Sequence, residues 1–145
     1  MGKRMWSGLC VAATAVTFAA CGGDSPDAAD QPAPPAPAAE VGAGIDLPEG
    51  VTLAMVSEGR TVFETTTCFT CHGMDGSGTA LAPSLRDQDW LNSDGSYDGI
   101  VGVVRNGVAQ PRQYPAPMPA MGGAQLTEDQ IRQVAAYVYA ISHGG

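Results

Sequence analysis

One closely spaced pair of cysteines constrains this chain more than any other feature. Cys68 and Cys71 stand in the stretch CFTCH, with His72 directly behind the second. Thiols at i and i+3 share one face of a helix, so the fold around them must meet whatever they hold. Three chemistries suit such a pair: a redox dithiol, part of a zinc site, or the attachment point of a covalently bound haem.

The length of chain that can fold narrows the choice. The opening residues, MGKRMWSGLCVAATAVTFAACGGDS, place Lys3 and Arg4 before an apolar run from Met5 to Ala20, with small residues around Cys21. That is the layout of a secretory signal peptide over residues 1–20. An uncleaved membrane anchor is the competing reading, but the run has 16 residues, short of the roughly 17–25 that span a bilayer. Phe18-Ala19-Ala20-Cys21 resembles the lipobox of bacterial lipoproteins, with Phe in place of the usual Leu, which makes Cys21 the expected lipidation site and new N-terminus. Cys10 falls in the discarded segment. Residues 21–48 follow as a Pro-, Ala- and acid-rich tether without a periodic apolar face, too polar to order on its own.

Only about 95 residues, Glu49 to Gly145, remain as a domain, and a chain of that size buries a modest core. Aromatic residues are 6% of the sequence, so something else is expected to supply apolar mass. No disulfide framework does so, because Cys68 and Cys71 are the cysteines left over. Without residues 1–20 the chain has five arginines and no lysine against fifteen acids, a net charge of −10. Nucleic-acid binding needs clustered basic residues and is excluded on that ground. An acidic surface instead favours redox partners with basic docking surfaces.

The periodicity predicts an all-α domain. A first helix is expected from about Thr52 to Thr66, with Leu53, Val56, Gly59 and Phe63 along one side. Glycine in mid-helix is costly unless another backbone comes close, so Gly59 marks a helix crossing. Tyr97 to Asn106 reads as a short helix stopped by Gly107, and RDQDWLN as a further turn or two. The last helix is the best marked. Thr127 and Gln130 make a capping box, and Leu126 and Ile131 a hydrophobic staple. Ile131, Val134, Val138 and Ile141 form its apolar stripe, and Gly144 stands past its end. The remainder is loop dense in Gly and Pro, and long loops in so small a domain are expected to wrap around something.

Against this background the three readings separate. A redox dithiol sits in a strand–helix–strand unit, and no strand pattern is visible. Zinc needs four ligands, and the only other histidine is His143, in the last turn of the chain. A covalent haem uses Cys68, Cys71 and His72 together, and its attachment requires the export that the leader provides.

The segments SEGRTVFETTTCFTCHGMDGSG, LAPSLRDQDWL, VRNGV and MPAMGGAQLTEDQIRQVAAYVYAIS resemble, in that order, a class I c-type cytochrome. The likeness is to the monohaem bacterial domains that also occur as haem–copper oxidase subunits, and it covers about residues 55–142. It implies a small fold in which the N- and C-terminal helices cross and the loops wrap one covalently bound haem c. By the resemblance, Cys68 and Cys71 form the thioethers and His72 is the proximal iron ligand. Pro83 matches the proline whose carbonyl accepts the proton of that histidine's Nδ1. Met118, followed by Pro119, matches the distal ligand, with Met121 as the alternative. A bis-histidine site would need His143 from the far end of the last helix. Gly59, Phe63 and Tyr137 match the helix crossing. Trp90 packs structurally or near a haem edge, and Arg86 or Arg105 is a candidate partner for a propionate.

With both axial positions filled, the resemblance implies a one-electron carrier in a respiratory or photosynthetic chain and not an enzyme. It is expected on the periplasmic or cell-surface side, held to a membrane by its N-terminal lipid, as a mobile carrier or as a subunit of a larger oxidoreductase. A ligand-binding haem protein, such as a gas sensor or small peroxidase, is the alternative that lacks the Met-Pro pair.

Overall fold

The computed structural model describes residue 41 and residues 44–144. The expected signal peptide, the expected lipidation site Cys21 and most of the tether lie outside the described residues. Among the described residues four helices form in the order α1 (Leu53–Thr65), α2 (Cys68–His72), α3 (Tyr97–Asn106) and α4 (Glu128–His143), with a short 3-10 turn, Ala120–Gly123, before the last. Among the described residues there is no strand. The β-type pairing found there is an isolated antiparallel bridge between Val108 and Met118. No helix among them is long and apolar enough to cross a membrane.

α1 starts where Thr52 caps it, the hydroxyl accepting the Met55 amide at 3.2 Å. Its buried face is Val56, Gly59, Val62 and Phe63. Leu53, expected on that face, is 47% exposed. It is the first helical residue and lies more than one turn before the crossing point, so it runs out beyond the partner helix. α4 is capped reciprocally: the Thr127 hydroxyl accepts from the Gln130 amide, and the Gln130 side chain accepts from the Thr127 amide. Glu128 and Asp129 in its first turn complement the helix dipole.

The stripe of Ile131, Val134, Val138 and Ile141 is buried, and so are Ala135, Ala136, Tyr137 and Ala140 beside it. Burial on so many sides follows from α4 packing against both α1 and α3. Gly59 makes the α1–α4 crossing possible. A Cβ added there would lie 1.9 Å from the Gln133 carbonyl oxygen, well inside contact distance. Phe63 and Tyr137 meet just beyond it, ring centroids 5.4 Å apart and tilted by 55°, an arrangement aromatic pairs favour.

α3 begins at Ser96, whose hydroxyl accepts the Gly99 amide, and presents Ile100, Val101 and Val104 to the core. The expected turn of helix at RDQDWLN does not form. Ser84 Oγ accepts from the Arg86 amide at 3.1 Å, and Asp87 Oδ1 from the Asp89 amide at 3.1 Å. Such local bonds offer the backbone an alternative to a helix. Val41, Ile45 and Leu47 pack against the core from upstream of Glu49, so ordered packing reaches into the segment read as tether.

Candidate functional site

α2 is a single helical turn that carries Cys68, Cys71 and His72, and the loop behind it doubles back over the histidine. The Gly78 amide donates to the His72 carbonyl at 2.7 Å, and the Thr79 hydroxyl donates to the Cys71 carbonyl at 2.6 Å. Gly78 has φ +85°, and a Cβ on it would lie 2.5 Å from the Ser84 nitrogen. This close approach brings Pro83 over the imidazole, with His72 Nδ1 3.0 Å from the Pro83 carbonyl oxygen. A carbonyl only accepts, so Nδ1 carries the hydrogen and donates it. The lone pair is left on Nε2, where a metal would take it. Burial pushes the His72 pKa below its usual value, the Pro83 bond opposing the shift in part, so the ring is neutral at pH 7.

Both cysteines are half-buried and unpaired. Burial pushes the Cys68 thiol up, partly offset by the Thr66 hydroxyl 3.3 Å from its sulfur. A redox dithiol depends on the reverse, a lowered thiol. Among the described residues no group of three or more His, Cys, Asp or Glu is arranged to hold a metal ion, which leaves the zinc reading without a ligand set.

The methionines arrive on a separate piece of chain. After α3 the backbone turns at Gly107, whose left-handed φ of 71° and lack of a Cβ let it pass close against Met118 and Pro119. Val108 and Met118 then exchange both amide–carbonyl bonds, at 2.8 and 3.0 Å, which pins the Met118 backbone. The 120–123 turn follows, tied to the start of α2 by the Thr67 hydroxyl donating to the Gly122 carbonyl at 2.6 Å.

Between α2 and this loop lies an apolar cleft with about 980 Å³ of space free of protein atoms, its open mouth included. Its deep wall is Phe63, Ile100, Val104, Val134 and Val138, from α1, α3 and α4. A smaller hollow on the Cys71 side shares Cys68, His72, Leu81, Ala82, Ala116 and Met118 with it. Met121 lines the larger hollow. One cleft therefore brings together an imidazole with a free Nε2, two thioethers and a thiol, Cys68, with the second thiol, Cys71, on the adjoining hollow. Apart from those donors it is walled mainly by carbon. A large, flat, apolar iron macrocycle fits such a donor set: His and Met are its axial donors in cytochromes c.

Trp90 also lines the cleft, and Gly95 lies against its indole with no room for a Cβ. Arg86 and Arg105 do not line it. Arg86 donates to the Asp75 carbonyl at 3.2 Å, and Arg105 pairs on the surface with Glu128. A polar hollow opens beside the cleft, sharing Trp90, Asn92 and Ser93 with it, and the basic residue lining that hollow is Arg112. Sequence reasoning passed over Arg112, and no periodicity or spacing marks it; the 107–119 loop alone carries it there. His143 is outside the cleft, stacked on Tyr139 at 4.0 Å.

Crossed terminal helices, with loops closing an apolar slot onto a CxxCH turn, define a cytochrome c domain of class I type. The chain belongs to the family described as cytochrome c oxidase, cbb3-type, subunit III, whose profile matches residues 54–138. Covalently bound haem c and electron transfer come with that family. The chain is 38% identical over 93 residues to a cbb3-type cytochrome c oxidase subunit CcoP of Cereibacter sphaeroides, covering 63% of this chain and 29% of that protein. It is 31% identical over 102 residues to subunit FixPc of the same type of oxidase in Rhizobium leguminosarum bv. viciae, covering 68% and 34%. The chain thus spans about a third or less of these relatives. Among solved structures, the c-type cytochrome XoxG from Methylobacterium extorquens AM1 is 26% identical, with 62% of this chain and 52% of that one aligned at a TM-score of 0.47.

Proposed function

We propose that this protein is a monohaem electron carrier with Cys68 and Cys71 as thioether anchors, His72 as proximal ligand and Met118 as distal ligand. The observation that carries the reading is the His72–Pro83 contact of 3.0 Å, which leaves Nε2 as a lone-pair donor in a cleft that Met118 also lines. The bound haem supplies a one-electron change at iron. The chain's own residues do the rest. Pro83 holds the ring of His72 and strengthens it as a donor. Phe63, Val104, Val134 and Val138 keep water out, and Met118 fills the remaining axial position so that no substrate coordinates. Met118 is preferred to Met121 because its backbone is pinned on both sides by Val108.

Residues 1–20 are read as removed on export, and Cys21 as carrying lipid that tethers the domain on the periplasmic or cell-surface side of a membrane. The net charge of −10 after residues 1–20 favours redox partners with basic docking surfaces. The names of the relatives favour a second arrangement, in which the domain serves as a fixed subunit of an oxidase complex.

The experiment is expression of the exported full chain with a cytochrome-maturation system. A single reversible one-electron wave, a c-type pyridine-haemochrome spectrum and a ferrous form slow to take carbon monoxide are expected. A colourless protein would end the reading, and immediate carbon monoxide binding would favour a sensor or peroxidase. Co-purification at low and high salt separates a mobile carrier from a fixed subunit.

A further inference from the structure

Met121 is the only non-glycine among the described residues with a left-handed backbone, φ 55° and ψ 25°. Gly122 and Gly123 beside it have positive φ as well, and a glycine at 121 would take up the same conformation without strain. What residue 121 adds to this turn is therefore its side chain. That side chain lines the cleft lined by His72 and Met118, and it packs partly buried against the core.

The two methionines are anchored independently. Met118 is pinned through Val108. The turn bearing Met121 is held by the Gly122 amide donating to the Pro119 carbonyl at 3.0 Å, the Ala124 amide donating to the Met121 carbonyl at 3.1 Å, and the Thr67 hydroxyl. Loss of the Met118 sulfur thus leaves the support of Met121 in place. Methionine is unbranched, with three rotatable bonds and a soft sulfur, so a modest change of rotamer re-aims its donor.

We propose that Met121 is a reserve axial ligand: when Met118 leaves the iron, the Met121 thioether takes the vacated position and keeps it closed to small molecules. The bond from Met118 sulfur to iron breaks and one from Met121 sulfur forms, with no proton or electron moved. This rests on the reading of Met118 as the resident distal ligand.

The test uses the matured holoprotein and two readouts, the sulfur-to-iron charge-transfer absorption of the ferric form and carbon monoxide binding by the ferrous form. Met118→Ala is expected to keep a displaced sulfur signature and resist carbon monoxide. Met121→Leu is expected to match the parent. Met118→Ala/Met121→Leu is expected to lose the sulfur signature and bind carbon monoxide at once. Where alanine at 118 fails to fold, Met118→Leu replaces it. Comparing Met121→Leu, which removes the sulfur and keeps the bulk, with Met121→Gly, which removes both and relieves the backbone, separates loss of sulfur from loss of packing. Complete loss of the sulfur signature in Met118→Ala would overturn the proposal and leave Met118 as the ligand. Its loss in Met121→Leu alone, with Met118→Ala like the parent, would overturn the proposal and the Met118 assignment together.

Discussion

The Pro83 carbonyl oxygen stands 3.0 Å from His72 Nδ1 although the two residues are eleven positions apart in the chain. Proline fixes its own φ, and Gly78 lets the chain fold back tightly enough for the contact. Pro83→Gly keeps the carbonyl but frees the backbone that aims it. The expected outcome is a holoprotein with its haem still covalently bound and a higher midpoint potential, because a less strongly donating His72 favours ferric iron less, or weaker His72 ligation, since such supporting bonds are worth roughly 10–100-fold in metal affinity. Unchanged potential and spectrum in Pro83→Gly would show that the loop holds the carbonyl without the ring.

His72 also sets a pH dependence. Burial lowers its folded pKa, while the unfolded chain takes up the proton near pH 6.5. The unfolded state therefore binds more protons below about pH 6.5, and stability present above that value is lost as pH falls through it. Iron held on Nε2, as proposed, would act in the same direction. The urea midpoint is expected to be lower at pH 5 than at pH 7, and the difference should survive in His143→Gln, whose ring lies outside the cleft. A midpoint that rises on acidification would contradict the burial argument.

At the helix crossing, Gly59→Ala places a methyl group where the Gln133 carbonyl oxygen already sits. α1 and α4 must move apart, and the cost is expected at about 3 kcal/mol, the upper end for overpacking. Denaturant unfolding measures it directly. Ser57→Ala, on the same helix and away from that approach, is the matched control.

Arg112 lines the polar hollow beside Trp90, Asn92 and Ser93, whereas Arg105 is engaged with Glu128. Removing a cation near the cleft favours the more positive ferric state. Arg112→Gln is expected to lower the midpoint potential by roughly 20–40 mV, the scale of a solvent-screened charge pair. Arg105→Gln should leave it unchanged. Equal shifts in the two variants would mean that the effect is net charge alone.

The sequence by itself determined what is written in local pattern. The capping box at Thr127 and Gln130, the stripe from Ile131 to Ile141, the stop at Gly107 and the crossing at Gly59 are properties of spacing and single residues, and they appear where the pattern puts them. The CFTCH turn likewise carries its meaning within five residues. Only the tertiary structure decided which distant residues share the cleft. Arg112 lines the polar hollow beside it while Arg86 and Arg105 line neither, Thr67 ties α2 to the methionine turn, and RDQDWLN is held open by Asp87 within it and Ser84 just before it. These outcomes depend on how loops rich in Gly and Pro close over long separations. No helical or strand period encodes that closure, because loop backbone is directed by the partners it finds rather than by a repeating apolar face.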